Sequence, residues 1–398
     1  MRRPIAILRN AWLVRAAALL SALASQCAAY ASDDGTPPAL HMGGSGDPFA
    51  PHGVLSTAHG VDQGEASGGH AAIPAGVFGA HMVTGGAAMI TYTPMVMSMQ
   101  QNYVGSSTIS PTAVVTTVPY VPLGVSTMKP PTLRIAPTSM TVEMNMFHAM
   151  YGVTDWLNVM AMGALVDKSM TMVTYAGMKG ATQLGVTTAS TRGWSDTAVT
   201  GLVRLYQDQV HHVHLNLGMS LPTGSNDEQI TMLSPMNKYM TKRANYGMQI
   251  GTGTYDGLYG VTYTGKSNVW SWGAVYRGRA AFGDNGEGYH WGPSNEVSVW
   301  GGYELADGLN ITGRAAAAAW DRIHGFDPLI SGPMQGNNPY FYGGERIKLL
   351  GGVEYIARSW GLPPIRVAVE AGAPVYQRLN GPQMGESWQF NAALGMRF

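Results

Sequence analysis

His211-His212-Val213-His214-Leu215-Asn216-Leu217-Gly218-Met219-Ser220-Leu221 is the stretch that decides the fold. Val213, Leu215, Leu217, Met219 and Leu221 alternate with His212, His214, Asn216, Gly218 and Ser220. One set is wholly apolar and the other polar or small, which is the pattern of a strand between two unlike environments. The end of the chain repeats it. Trp388, Phe390, Ala392, Leu394, Met396 and Phe398 alternate with Gln389, Asn391, Ala393, Gly395 and Arg397.

Working outward, the same period predicts strands near 82–99, 138–152, 156–167, 194–206, 211–221, 248–264, 268–282, 294–306, 308–320, 344–357, 364–376 and 386–398. Connections alternate between short turns, such as Gly152-Val153-Thr154-Asp155, and long loops, such as 222–247. Soluble strands usually run 3 to 10 residues. A tilted bilayer crossing needs about 9–11, and lipid permits no unpaired sheet edge. The expectation is an all-β fold: a closed antiparallel transmembrane β-barrel of about 12 strands over residues 81–398.

Composition agrees. Only 12% of the 398 residues are charged, against roughly 25% in typical proteins, yet 45% are hydrophobic. Lys+Arg and Asp+Glu are both 24, so a nucleic-acid partner, which needs a basic footprint, is not expected. No apolar run reaches the length of a transmembrane helix. Trp156, Trp270, Trp272 and Trp360 fall near short turns, and Trp194, Trp291 and Trp320 near long loops, as two interfacial belts would require. Trp300 falls mid-strand and fits neither.

Residues 1–31 read as a secretory signal: Arg2, Arg3, Arg9 and Arg15 precede an apolar stretch, and Ala29-Tyr30-Ala31 suits cleavage. Cys27, the single cysteine, lies within it. Residues 32–80, rich in Gly, Pro, Ser and His, read as a flexible periplasmic arm. The address implied is the cell outer membrane, with its lipid as a partner.

Several motifs carry a family resemblance. They are Met144-Asn145-Met146 to Met150-Tyr151, Gly152 to Leu157, Gly193-Trp194-Ser195-Asp196, His214 to Ser225, Gly251 to Asp256, and Pro374 to Gln383. Together they resemble the Gram-negative outer-membrane transporters labelled putative MetA-pathway of phenol degradation proteins. That resemblance implies a channel for small solutes, aromatic or other small organic compounds among them. Phe398, ending an alternating strand, resembles the signal read by the barrel-assembly machinery.

If the apolar set faces lipid, the lumen receives Glu143, Arg204, His212, His214, Asn216, Arg277, Arg279, Glu296, Glu304, Arg314, Arg346, Lys348, Glu354, Arg366, Glu370 and Arg397. This mixed lining fits either a selective pore, where basic rings favour anions, or a cross-strand ion-pair network filling a narrow barrel. Met95, Met97 and Met99, and Met140, Met144, Met146 and Met150, become lipid-facing bulk under the same rule. Thioether and imidazole donors suit copper, so His41-Met42 and His81-Met82 are candidate ligands for an alternative metal-handling role. No cofactor is expected. No Gly-x-Ser-x-Gly elbow occurs, and the chain is read as non-enzymatic. Oligomeric state is not legible in the sequence.

Overall fold

The computed structural model describes residues 71–358 and 363–398, all within the compact unit Gly68–Phe398. The signal segment, most of the arm, His41, Met42 and Trp360 lie outside the described residues. No helix among the described residues is long and apolar enough to cross a membrane.

The chain forms a closed antiparallel barrel. Its wall comprises β1 (Ala88–Gly105), β3 (Ile135–Thr154), β4 (Leu157–Tyr175), β6 (Thr197–Gln207), β7 (His211–Leu221) and β10 (Asp256–Ser267). It continues through β11 (Trp270–Ala281), β13 (Ser294–Ala306), β14 (Leu309–Trp320), β16 (Gly344–Ala357) and β17 (Ile365–Arg397). Strands β2 (Ser107–Ile109) and β5 (Gln183–Trp194) extend it at β1 and β4. Loop strands β8 (Gln229–Leu233) with β9 (Tyr239–Arg243), and β12 (Tyr289–His290) with β15 (His324–Gly325), form two small ribbons.

The ring has eleven strand elements, closed by β17 against β1. An antiparallel ring cannot close on an odd number, so one element must count twice. That element is β17, whose 33 residues would span about 110 Å if straight. Its first arm pairs with β16 and its second with β1, and Leu379 is a partner of both Gly344 and Gly105. Gln377 Nε2 donates to the Glu386 carbonyl at 3.2 Å across the fold. The wall is therefore crossed twelve times, as the period predicts. Three expected spans, 211–221, 294–306 and 344–357, match their strands end to end.

Burial shows which way the wall faces. Leu217 is 52% exposed and Met219 41%, while His214 on the same strand is 3% exposed and Ser220 is buried. Phe147, Tyr151, Val199, Leu349, Val353, Val369, Phe390 and Leu394 are likewise exposed. Thr262, Ser298, Arg314, Glu354, Glu370 and Asn391 are buried. A water-soluble protein has the opposite arrangement; an apolar girdle around a polar interior suits a barrel in lipid.

Two expectations are corrected. Glu143 is exposed and points outward with Phe147 and Tyr151. Both alternating sets of β3 are mainly apolar, so the rule that sends the apolar set to lipid selects the wrong one. The aromatic set faces outward, and Met140, Met146 and Met150 are buried inside. The methionines of β1 follow by register, since Met95 pairs with Met144 and Met99 with Met140.

Candidate functional site: the barrel lumen

The lumen has two unlike walls. One, from β1, β3 and β4, is thioether. Met140, Met146, Met170 and Met172 are buried in one cluster with Met232, Met248 and Met334 from the long-loop side. Met95, Met97, Met99 and Met144 pack against it. Met99, Met140 and Met170 are successive register partners on adjacent strands, so their side chains form a row.

The other wall, from β10 through β17, is ionic. Arg314 grips Glu370 with two bonds of 3.0 and 2.6 Å, and Asn391 Nδ2 adds a third at 2.8 Å. Arg366 pairs with Glu354 at 2.6 Å, and Lys266 with Glu304 at 3.0 Å. Arg346 and Lys348 converge on Glu386, whose side chain is fully buried. Ser298 Oγ donates to Glu296 at 3.2 Å. A buried carboxylate is tolerated only when paired and hydrogen-bonded, and the wall meets that condition by crossing between strands.

Glu386 was missed for a definable reason. It shares the parity of Trp388 and Phe390, which face lipid, but the register shifts between Ser98 and Met99 and turns it inward. Asp256 was also missed. It binds Arg279, which lies 3.5 Å from Asp196 as well. Asp196 further accepts from Gly224 N, Thr252 N and Thr252 Oγ1 at 3.2, 2.9 and 2.7 Å. The turn motifs around 196, 224 and 252–256 thus meet at one knot, on the long-loop side. Nearby, Tyr246 stacks edge-on against Tyr289 and Tyr342, and burial pushes its hydroxyl up to about 12.

Between the two walls runs residues 71–83, partly within the segment expected to be an arm. Ala72, Ile73, Ala75, Val77, Ala80 and Val83 are all buried. The segment meets the ionic wall first: Trp300 Nε1 donates to Ala72 O at 3.2 Å, Arg366 to Ile73 O, and Ile73 N donates to Glu354 at 3.4 Å. It then crosses the lumen. Arg277 donates to Phe78 O, and the Phe78 ring stacks on His148 of the methionine wall, centroids 4.8 Å apart. His214 Nε2 bonds Gly79 O at 2.9 Å. The segment leaves beside the first short turn, where Gly85 N donates to Asp155 at 2.9 Å and Arg397 to Thr84 Oγ1 at 2.8 Å. Trp300, the aromatic that fitted neither belt, is inward and 5% exposed. Its ring lies over Gly273, where a Cβ would come within 2.2 Å of it.

Of the remaining expected lining residues, Asn216 donates to Thr262 Oγ1 at 2.9 Å, and Arg204 and His212 hold inward register positions opposite His214 and Thr264. Phe398 pairs its backbone with Ala88, closing the ring. His81 lies 3.2 Å from Met89 Sδ through its Nε2. Met82 packs near Val83, Met150 and Leu202. Among the described residues no three His, Cys, Asp or Glu are placed to hold a metal together.

No known family model and no curated protein matches the sequence. Solved structures do. The outer-membrane channel described as COG4313 from Pseudomonas putida F1 superposes with a TM-score of 0.50 at 10% identity, covering 81% of this chain and 99% of that one. A Pseudomonas aeruginosa FadL homologue matches with a TM-score of 0.34 at 9% identity, over 78% of this chain and 89% of its own. The Pseudomonas putida toluene transporter TodX matches with a TM-score of 0.36 at 10% identity, over 79% of this chain and 90% of its own. The first of these supports the barrel fold; the other two are too distant to add to it.

Proposed function

We propose that this chain is an outer-membrane channel for small organic solutes, aromatic compounds among them, gated by the segment in its lumen. The observation that carries the reading is the lumen's two-sidedness. A flat, amphipathic molecule can slide its apolar face along methionine, which adapts its shape to what it touches. Its polar edge then meets arginine and lysine on the opposite wall. The COG4313 neighbour's description as an outer-membrane channel supports transport over catalysis. The resemblance to the phenol-degradation transporters supports the same solute class. The address rests on the apolar girdle and the predicted signal at 1–31, with assembly by the barrel-assembly machinery through Phe398.

The alternative is a closed structural barrel. The ion pairs on the wall favour it in one respect, because each satisfies a partner within the wall. Liposome swelling separates the two. Vesicles holding the protein should swell faster in benzoate-like acids than in sugars of similar size. Equal, background rates with every solute would establish the closed barrel.

Assembly gives a second check. Deleting Phe398 should lower the yield of folded, heat-modifiable barrel in the outer membrane several-fold. Unchanged yield would remove the assembly role from that residue.

A further inference from the structure

The short-turn half of the lumen holds a cavity between the luminal segment and the methionine wall. Its lining includes His81, Met89, His148, Met150 and Met160. Met89, Met150 and Met160 are register partners on three adjacent strands, so three thioethers stand in one row. His148 belongs to the next row on β3, two residues from Met150 and on the same face. From the other side, His81 Nε2 approaches Met89 Sδ at 3.2 Å.

One atom points to a missing ligand. His148 is 5% exposed and its Nε2 has no hydrogen-bond partner. A buried ring nitrogen left unmatched is costly, and native structures seldom carry one without reason. The stack on Phe78 fixes the ring plane without satisfying that nitrogen. The lining holds no carboxylate. Two formal charges lie beside it: Arg366, which pairs with Glu354, and Arg277, which lies over the Phe78 ring and donates to Phe78 O. A hard cation or a divalent ion needing anionic oxygen would find no donor here. Imidazole and thioether are the donors that favour soft, monovalent, d10 metal.

We propose that this cavity binds one Cu(I) ion, through His148 Nε2 and the sulfurs of Met89, Met150 and Met160, with His81 as the ligand carried by the luminal segment. The sequence already offered His81 as a metal candidate. Of the other ligands, only Met150 is read from the sequence as lipid-facing bulk, and the inward turn of β3 removes that objection. Because ligands come from both wall and segment, the bound ion ties the two together. Binding does not depend on the channel reading, although an ion that ties segment to wall would also hold that reading's gate in place.

Binding is read without flux, so its failure leaves the channel reading intact. The purified full chain in detergent is titrated with Ag(I), a redox-inert probe, and with Cu(I) under ascorbate against a chromogenic chelator. One equivalent should bind, and the Cu K-edge spectrum should show both nitrogen and sulfur scatterers. His148→Gln and Met150→Leu should each weaken binding at least tenfold. Met219→Leu, on the lipid face, should bind like wild type. Should His148→Gln fail to fold, Met89→Leu and Met160→Leu preserve volume and read the same site. Less than one equivalent bound by the wild type, or wild-type affinity in every lumen variant, overturns the proposal.

Discussion

Replacing Gly76 by Val should raise single-channel conductance several-fold in planar bilayers. A Cβ at Gly76 would lie 2.6 Å from Arg314 Nη2, 2.7 Å from Glu370 Oε1 and 2.8 Å from Asn391 Nδ2. Real Cβ contacts do not occur at such distances, and the three atoms are bonded to one another in a buried network. Either the network breaks or the segment withdraws. Breaking it would leave buried charge uncompensated, at about 3–5 kcal/mol. Lifting the segment locally around Gly76 sacrifices chiefly the burial of Ala75 and Val77, about 2–3 kcal/mol, which is the smaller loss. The segment should therefore lift from the ionic wall at Gly76, and the pore should widen. Conductance equal to wild type, from a correctly folded variant, would show that the seat yields locally and that the segment does not gate.

Replacing Glu370 by Gln attacks the same seat from the wall. Gln keeps the shape but removes the charge that Arg314 needs. Both partners are almost fully buried, so solvent cannot make up the loss. Removing one member of a buried pair costs about 3–5 kcal/mol. For a barrel of this size that lowers the heat-unfolding midpoint by roughly 4–7 °C. Glu143→Gln is the matched control, since that carboxylate is outward and exposed, and it should shift the midpoint by no more than about 1 °C. Equal midpoints for the two variants would contradict the ionic wall as a stabilising unit.

These effects trace back to how the sequence encodes a barrel. Alternation alone located every wall crossing, because a period of two survives in any strand with unlike faces. Strand ends were less legible. The crossing expected at 248–264 begins at Asp256, because Met248 and Ile250 alternate with Gln249 and Gly251 and mimic a strand. Where one set was polar, the residues expected inward, such as His214, Arg314, Glu354 and Glu370, are buried. Face assignment failed on β3, where Met140, Met146 and Met150 compete with Phe147 and Tyr151 and neither set is polar. Aromatic bulk took the lipid side and thioether the lumen. At Glu386 a single bulge reversed the parity. No pattern in residues 71–83 signals a luminal segment, since its small apolar residues are ordered by contacts far away in the sequence. Trp300 was the one legible hint, an aromatic out of place because it holds Ala72 from inside.

The inward methionine wall, opposed by lipid-facing aromatic and branched side chains, is the claim on which the rest depends. Spin labels at single cysteines test it most directly, with Cys27 removed and the protein in bilayers. Labels at Leu217 and Phe390 should collide freely with oxygen and poorly with a water-soluble nickel reagent, as lipid-exposed sites do. Labels at Met97 and Met146 should be shielded from oxygen. High oxygen accessibility at 97 and 146, matching that at 217 and 390, would place methionine in lipid and contradict the account.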